Sequence, residues 1–249
     1  MDQNAMRLTE DQVILDTVMS ISSLLTALET NEELAADQRH LLRMLELNNA
    51  RLYRPLYVQR ILRRREDGRW QHGEVRLGNA VDAAAQEARR ILRDAAQIRC
   101  EVPPGVLWTE SDANVLADML YAAVALTCPD SSADHELLLR LEKREEDRAE
   151  LTVMSRSKPS EAEGCTSFGT LEAERQLVAA FCEEYGCTQV FTESAQAHTL
   201  RISLPLSDGK SGMIQLQSGA EEHSRLDGSE LLLARLRWHA QEPAESVSQ

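Results

Sequence analysis

Few side chains in this 249-residue chain could carry chemistry, and the first along the sequence is His40. A histidine on a helix can accept a phosphoryl group on a ring nitrogen, or act as a general acid or base near neutral pH. His40 lies in the segment DQRHLLRM, where the preceding Asp37 could orient its ring. The alternative is a solvent-facing histidine between apolar positions, without a chemical role. The other histidines are His72, His135, His198, His223 and His239. None has a companion at metal-ligand spacing, so we expect no metal site.

Cysteine is the second reactive residue type, with five copies and no C-x-x-C pair. They are Cys100, Cys128, Cys165, Cys182 and Cys187. An odd and scattered set of cysteines argues against a disulfide framework and against a zinc site. We therefore interpret them as reduced, mostly buried thiols rather than as redox groups.

A third candidate is an acidic residue inside an apolar helix. The stretch 116–130 reads LADMLYAAVALTCPD and predicts a helix that carries Asp118 and ends at Cys128 and Pro129. Ser111 or Asp112 is expected to cap the start of this helix. The sequence leaves two interpretations: a helix that serves a ligand site, or an ordinary core helix.

The charge balance excludes two classes of binding partner. The chain has 41 acidic and 27 basic residues, which gives a net charge of −14. Binding to nucleic acid or to an anionic membrane needs an excess of Lys and Arg. The sequence shows no secretory leader, and no apolar run approaches the roughly 20 residues that cross a bilayer. We therefore expect a soluble cytoplasmic protein without nucleic-acid binding or membrane insertion.

The elements that must position these residues begin with a helical hairpin over residues 8–66. Its first helix has apolar residues at spacings of 4, 3, 4 and 3, which is a heptad seam. The seam residues are Ile14, Val18, Ile21, Leu25 and Leu28, continued on the second helix by Leu41, Leu45 and Leu52. Because a two-helix hairpin cannot bury its apolar face alone, we predict a homodimer in which two hairpins form a four-helix bundle.

Arginines are concentrated towards the end of this hairpin. The group comprises Arg51, Arg54, Arg60, Arg63 and Arg64. One interpretation is a solvated helix end, where cations complement the helix dipole. The other is a docking patch for an acidic partner.

Alternating strand patterns and further helices over 74–207 predict an α/β sandwich, a mixed sheet covered on one face by three helices. EVRLG (74–78) is expected to be a strand, followed by a helix that Asn79 caps. Gly186 is expected to end the helix that starts at Leu171. Residues 208–249 are predicted to be a C-terminal extension, partly disordered, with a short helix from Ser229. The fold class is thus α+β, a hairpin followed by a sandwich.

Two long segments carry a family resemblance. They are ARLYRPLYVQRILRRREDGRWQHGEVRLGNAVDAAAQEA, from residue 50, and LVAAFCEEYGCTQVFTESAQAHTLRISLPL, which ends at residue 206. With the order of elements over about residues 8–207, they resemble the cytoplasmic core of a bacterial sensor histidine kinase. The resemblance implies a dimerisation and phosphotransfer hairpin followed by a histidine-kinase-like ATPase domain. It says little about activity, because function depends on the site and not on the fold.

The family's phosphoacceptor motif, similar to H-E-L-R-T-P-L-T-A, is not preserved. MSISSLLTA (19–27) shares only its L-T-A end. Met19 stands where the histidine is expected, and a thioether cannot take a phosphoryl group. Ser20 replaces the acidic neighbour that would act as base.

The family's magnesium-binding helix, similar to N-L-L-x-N-A-x-K-Y-T, aligns with DMLYAAVALT. The metal-ligating asparagine falls at Ala122 and the lysine at Ala125, while Asp118 keeps an earlier polar position. Magnesium requires oxygen ligands, and alanine supplies none. We expect these two alanines to leave a smooth apolar surface towards the ligand cleft.

The two remaining nucleotide motifs also differ from the family pattern. The adenine-recognising aspartate of a D-x-G-x-G turn falls at Ser155, and its glycines fall at Ser157 and Pro159. The phosphate-binding G-x-G-L falls on EAER, so that Glu172 and Glu174 would repel phosphate instead of letting backbone amides approach it.

The sequence therefore predicts a non-catalytic pseudo-histidine-kinase, not an enzyme and without cofactor. Its role would be that of a homodimeric adaptor or regulator in bacterial two-component-type signalling. The resemblance implies a partner such as a receiver domain, whose acidic pocket would suit the arginines, or a histidine kinase. The alternatives are a histidine phosphotransferase that uses His40, and a divergent but active histidine kinase.

Overall fold

A computed structural model gives the fold of the protein. It describes residues 17, 20–21, 24–25, 28, 35–92, 96–128, 135–157, 171–194, 197–209, 228–229 and 232–233. The helices are α1 (Ala36–Glu66), α2 (Leu77–Leu92), α3 (Ala113–Thr127) and α4 (Glu172–Glu184). The strands are β1 (Gly73–Arg76), β2 (Ala96–Glu101), β3 (Trp108–Ser111), β4 (His135–Lys143), β5 (Arg148–Ser157), β6 (Thr188–Glu193) and β7 (Ala197–Pro205).

The main sheet has five strands in the order β2-β4-β5-β7-β6. Strands β2 and β4 are parallel, and the other neighbours are antiparallel, so the sheet is mixed. Helix α2 packs on β2 and β4, α3 packs on β5 and β7, and α4 packs on α3 and β6. The predicted sandwich of a mixed sheet and three covering helices is confirmed.

Alternation along the central strands builds the core. In β4, Leu137, Leu139 and Leu141 are all at most 2% exposed, while the residues between them are more accessible. Val153 in β5 and Ile202 in β7 are fully buried on the same pattern. Side chains of a strand alternate between its two faces. The buried leucines therefore all lie on the face of the sheet that the helices cover.

One predicted boundary was wrong. Leu77 was expected to continue a strand, with Asn79 capping the following helix, but α2 already begins at Leu77. The backbone N–H of Leu77 donates to the carbonyl of Leu107 at 2.9 Å, and its side chain is buried. The extended pairing ends at Arg76, opposite Trp108, and leaves Leu77 free to start the alanine-rich helix.

Helix α1 is 31 residues long and has two different environments. Towards its end Tyr53, Val58 and Ile61 are buried, and the indole N–H of Trp70 donates to the carbonyl of Ile61 at 3.0 Å. Trp70 in turn stacks on Tyr185, just after α4, with 6.0 Å between ring centroids. The end of α1 is therefore packed onto the sandwich.

The predicted seam residues that the structure describes are mostly exposed within one chain. Their exposed fractions run from 43% to 66% for Ile21, Leu28, Leu41, Leu45 and Leu52. Leu25 differs, because it is only 6% exposed, so its side chain packs inside the chain and not on a free seam. Ile14 and Val18 lie outside the described residues. The hairpin and its dimer stay predictions.

No helix in the described ranges combines the length and the apolar character that crossing a bilayer requires.

Candidate ligand cleft

Helix α3 is the element around which the cleft was predicted, and its start is fixed by Asp112. One carboxylate oxygen of Asp112 accepts from the backbone N–H groups of Asn114 and Val115, at 3.0 and 3.2 Å. The other accepts from the backbone N–H of Gln71 at 3.0 Å. Of the two predicted caps, Asp112 is therefore the one that satisfies the free N–H groups of the first turn.

The face of α3 expected to lie open towards a ligand is closed. Ala122 is 0% exposed and Ala125 is 1% exposed, so they form no accessible apolar surface. That part of the prediction was wrong. The reason is that α3 is surrounded by the sheet, by α2 and by α4, and among its described residues Asn114 alone is classed as exposed.

Asp118 has a specific partner. Its Oδ1 accepts a hydrogen bond of 2.9 Å from the hydroxyl of Tyr57 in α1, and the residue is 9% exposed. A carboxylate this deeply buried is costly unless it is hydrogen-bonded. The hydroxyl of Tyr57 thus gives Asp118 a structural role at the contact between α1 and α3.

Part of the C-terminal extension packs over the same place. Gly228 lies so close to the Tyr57–Asp118 pair that a Cβ at this position would collide with the Asp118 carboxylate and the Tyr57 hydroxyl. The hydroxyl of Ser229 donates to Oε1 of Glu87 in α2 at 2.7 Å. Leu232 and Leu233 are fully buried in the main core. These four described residues are all helical, and we call them the tail segment.

The tail segment reaches one end of the α3 face that the magnesium site would use. Asp118 and Ala122 are four residues apart in a helix, so they lie one above the other on the same face. Gly228 is packed on the Asp118 end of this face. The protein's own chain thus lies where a ligand would have to enter from that side.

Ser155, at the predicted adenine position, is buried in the sheet. It lies in β5 between Leu137 of β4 and His198 of β7, and it is 0% exposed. Its hydroxyl has no hydrogen-bond partner among the described residues. Ser157 is the last residue of β5, and Pro159 lies outside the described residues.

The two glutamates at the predicted phosphate position have different surroundings. Glu174 is fully buried, and its Oε1 lies 2.8 Å from Nε of Arg54 in α1. Glu172 is exposed at the start of α4 and accepts a hydrogen bond of 3.3 Å from the amide of Gln176. Glu174 is therefore directed at α1 and serves as a structural ion partner.

The same ion pair corrects the predicted docking patch. Arg54 was placed among the arginines available to an acidic partner, but its side chain is only 7% exposed and is engaged by Glu174. The other four predicted arginines, Arg51, Arg60, Arg63 and Arg64, are partly exposed. His40 lies in α1, but its side chain is not among those that the structure describes. Met19 lies outside the described residues, and Ser20 is helical and exposed.

A cavity of about 420 Å³ lies between α4 and the β6–β7 hairpin. Glu172, Arg175 and Gln176 form its polar wall, and the guanidinium of Arg175 lies 5.6 Å from the centre of the Phe191 ring. The cavity brings Glu172 near Leu126, but Asp118, Ala122, Ala125 and Ser155 do not line it. The predicted site residues are thus not assembled around this cavity.

Comparison with known proteins gives a structural match without a sequence match. No family model and no curated protein matches the chain. Full-length ShkA, solved in complex with AMPPNP, has 13% identity and a TM-score of 0.56, over 80% of this chain and 45% of that one. The Acinetobacter baumannii histidine kinase AdeS has 12% identity and a TM-score of 0.48, over 81% of this chain and 98% of that one. The mycobacterial sensor histidine kinase MprB has 15% identity and a TM-score of 0.41, over 53% and 97%.

The sandwich has a histidine-kinase-like ATPase fold. This conclusion rests on the ShkA match. A sequence identity of 13% supports a common fold but does not show a common reaction. The chain spans less than half of the length of ShkA.

The contacts that sequence reasoning missed are all long-range. Arg54 and Glu174 are 120 positions apart in the sequence, and each was assigned a different role. Tyr185, which follows α4, donates its hydroxyl to the carbonyl of Gln71 and accepts from the backbone N–H of Asp112, both at 3.0 Å. Burial raises the pKa of Tyr185 well above its ordinary value, so it stays a neutral donor. The one available signal was Asp118 itself, since an acidic residue in an apolar helix calls for a partner.

Proposed function

We propose that this protein is a non-catalytic histidine-kinase-like adaptor of two-component-type signalling, which acts as a homodimer and works by binding. The observation that carries the proposal is the occupation of the ligand side of α3 by the chain's own residues. Ala122 and Ala125 are buried, Asp118 is bonded to Tyr57, and Gly228 packs on both members of that pair. A nucleotide would have to displace this packing and would find no metal ligand at Ala122 or Ala125.

The start of α4 supports the same proposal. Phosphate binding at a helix N-terminus uses backbone N–H groups that glycines leave accessible. Here the first residues of α4 are Glu172 and Ala173, followed by the buried Glu174. The carboxylate of Glu174 is neutralised by Arg54 and is therefore built into the contact between the hairpin and the sandwich. An anion would meet the exposed negative charge of Glu172 instead.

The proposed homodimer rests on apolar side chains that one chain leaves exposed. The seam residues Ile21, Leu28, Leu41, Leu45 and Leu52 are 43–66% exposed, on helical segments that the heptad pattern pairs. Single exposed leucines are ordinary on protein surfaces, but a row of them at heptad spacing marks an interface. The occupant we propose is a second copy of this chain, because the same seam would be presented on both sides of a twofold axis.

The proposed signalling partner is an acidic receiver-like domain. After the correction of Arg54, the arginines that we propose for this contact are the partly exposed Arg51, Arg60, Arg63 and Arg64. Arg64 is 40% exposed, and its guanidinium lies 3.9 Å from the Asp112 carboxylate, a loose contact that leaves charge for a partner. Complementary charge of this kind mainly sets association rate and orientation.

The decisive experiment is a nucleotide titration followed by thermal unfolding. A ligand that binds only the native state stabilises it by RT ln(1 + [L]/Kd), about 2.7 kcal/mol at a hundredfold excess over Kd. We expect no rise in melting temperature with Mg-ATP or a nonhydrolysable analogue, measured against magnesium alone. An active histidine kinase core in the same buffer serves as positive control. A clear upward shift would mean a divergent kinase and would overturn the proposal.

A variant of the tail segment separates a lost site from a covered one. Gly228→Leu should force the tail segment off the Tyr57–Asp118 pair, because even a Cβ collides there. If the site is lost, this variant binds no nucleotide either. If Gly228→Leu gains a nucleotide-dependent shift that the natural sequence lacks, the tail segment is an inhibitor of an intact site. Ser229→Ala, which removes only the hydrogen bond to Glu87, is the matched control.

A second experiment tests whether His40 takes part in phosphotransfer. The protein is incubated with phosphorylated receiver domains, and acid-labile phosphate is followed on the natural chain and on His40→Gln. An adaptor takes up no label in either. Label on the natural chain that disappears in His40→Gln would replace the adaptor by a histidine phosphotransferase.

A further inference from the structure

The end of α4 places two cysteines side by side. Gly186 adopts a left-handed conformation with φ of 63°, and the backbone N–H of Cys187 donates to the carbonyl of Cys182 at 2.8 Å. This hydrogen bond, five residues back, is the one that defines a Schellman turn at a helix end. In that turn the residue after the glycine contacts the residue one turn back in the helix, normally through two apolar side chains. Here both of these positions are cysteines.

The two thiols are not equivalent. Cys182 is 5% exposed, whereas Cys187 is partly accessible, and the Cys187 thiol donates to the carbonyl of Tyr185 at 3.7 Å. The hydrogen bond to Cys187 and burial raise the pKa of Cys182. The hydrogen bond from Cys182, helped by the charge of Arg148, lowers the pKa of Cys187. The accessible sulfur is thus the one with more thiolate character, which is the nucleophilic form.

Arg148 is held in place next to this turn. Its Nε donates to the hydroxyl of Ser203 at 2.7 Å, and Nη2 donates to the carbonyls of Ser203 and Gly186 at 3.0 and 3.4 Å. Three bonds to two neighbouring segments fix the guanidinium near the last turn of α4. The positive charge beside Cys187 is therefore a stable feature of the fold.

We propose that Cys182 and Cys187 form a reversible peroxide-sensitive pair, with Cys187 as the attacking thiolate and Cys182 as the resolving thiol. In the first step the Cys187 thiolate attacks one oxygen of hydrogen peroxide, the O–O bond breaks, and Cys187 sulfenic acid and hydroxide result. In the second step the sulfur of Cys182 attacks the Cys187 sulfur, and the S–O bond breaks. The products are a disulfide and water, with the Cys182 proton leaving with the hydroxyl group.

The expectation from the sequence was the opposite, because the pair is five positions apart and C-x-x-C spacing is absent. The Schellman turn changes this, since it folds the chain back so that the two positions meet. The other described cysteines lack these features. Cys128 is buried, and burial with a hydrogen bond to Asp82 raises the pKa of Cys100 to about 12. Cys100 is therefore an internal reference for a slow thiol.

The test uses the reduced full-length chain, hydrogen peroxide as oxidant, and alkylation followed by mass spectrometry. Both cysteines fall on one tryptic peptide, residues 176–201, because no Lys or Arg lies between them and its ends. We expect this peptide to lose two hydrogens and both alkylation sites, and to recover them after reduction. We expect Cys187 to be oxidised at least about ten times faster than Cys100, because the thiolate fraction falls about tenfold for each unit by which the pKa rises.

Three variants make the proposal falsifiable. Cys187→Ser should leave Cys182 reduced, and Cys182→Ser should leave Cys187 as a dimedone-reactive sulfenic acid without intrachain disulfide. Cys100→Ser is the matched control and should oxidise like the natural chain. Non-reducing electrophoresis distinguishes an intrachain bond from a bond between chains, and circular dichroism checks that each variant is folded. Equal oxidation rates at Cys100 and Cys187, or oxidation of Cys187 to sulfinic acid with Cys182 still alkylatable, would overturn the proposal.

Discussion

The two halves of α1 belong to one continuous helix but face different surroundings. In the first half, residues 36–52, Leu41, Leu45 and Leu52 are 62%, 54% and 66% exposed. In the second half, residues 53–66, Tyr53 and Val58 are 1% exposed. Apolar side chains are thus free in the half that has the regular leucine pattern. They are buried in the half in which arginines are frequent.

We propose a separate interface for each half. The second half is held to the sandwich by the chain itself, through the Arg54–Glu174 ion pair and the Tyr57–Asp118 hydrogen bond. Leu41, Leu45 and Leu52 of the first half are exposed, and we propose that a second copy covers them. A helix that is rigidly fixed at one end would carry the orientation of the dimer directly into the sandwich. The following experiments test this division.

The largest effect is expected from removing one partner of the buried ion pair. Glu174→Leu removes the acidic partner at 2.8 Å from the buried Arg54 guanidinium, and breaking a buried ion pair typically costs about 3–5 kcal/mol. We expect a loss of that size in the free energy of unfolding, measured by urea denaturation at fixed protein concentration. The double variant Arg54→Met with Glu174→Leu should recover most of the loss, because an apolar pair can replace a buried ion pair.

The neighbouring Glu172 provides the control for this experiment. It lies on the same turn of α4 but is exposed, so Glu172→Leu should change the stability by no more than about 0.5 kcal/mol. If Glu174→Leu were as mild as Glu172→Leu, the second half of α1 would not be fixed to the sandwich in the way described.

The second effect concerns association and not folding. Leu45→Glu places a charge on the exposed seam of the first half, where a dimer would have to bury it unpaired, at several kcal/mol. We expect sedimentation velocity to show a shift from dimer to monomer, with little change in the circular dichroism spectrum. Gln59→Glu, at an exposed position of the second half, should leave the dimer intact. A Leu45→Glu protein that stays dimeric would exclude the proposed four-helix bundle.

The same contrast explains how much of the fold could be predicted. The sandwich follows from local patterns: alternation in β4 and β5, the Asp112 cap and the Gly186 helix end are all set by residues close in sequence. The start of α2 was missed because the contact that fixes it, from Leu77 to Leu107, joins distant residues. Local sequence propensity thus predicts which helices and strands form, whereas a tertiary contact determines where α2 begins.

The site was less predictable than the fold for the same physical reason. Arg54 and Glu174 each have a familiar surface role when they are considered alone, and only their contact at 2.8 Å shows that they neutralise each other. Burial of Ala122 and Ala125 likewise depends on what packs over α3. The packing of Gly228 on Asp118 could not be predicted from a weak helical pattern in the tail. The absence of a metal ligand at Ala122 could be read from the sequence, but the covering of its face could not.

A smaller effect is expected from the second polar contact of α1. Tyr57→Phe removes the donor to the buried Asp118 carboxylate, and hydrogen bonds to charged groups contribute about 1.5–3 kcal/mol. We expect a loss at the lower end of that range in urea denaturation, because Asp118 has further interactions within the chain. Asp118→Asn and the double variant complete a mutant cycle. A coupling energy near zero would mean that the hydroxyl does not stabilise Asp118.

The smallest effect is expected at the accessible end of the same half, where Arg65 contacts two acidic residues of α4. Its Nε lies 2.8 Å from Glu184 and its Nη1 lies 2.9 Å from Glu183, but Arg65 is 25% exposed and Glu183 is 74% exposed. Exposed ion pairs contribute about 0–1 kcal/mol, and salt screens them over a Debye length of about 10 Å at 0.1 M. We therefore expect Arg65→Gln to cost less than about 1 kcal/mol at low ionic strength, and less still in 1 M sodium chloride. Glu174→Leu should keep its larger cost at both salt concentrations, because water and ions do not reach that pair. A cost for Arg65→Gln that equals that of Glu174→Leu, or that resists salt, would place the main attachment of α1 at its end and not at Arg54.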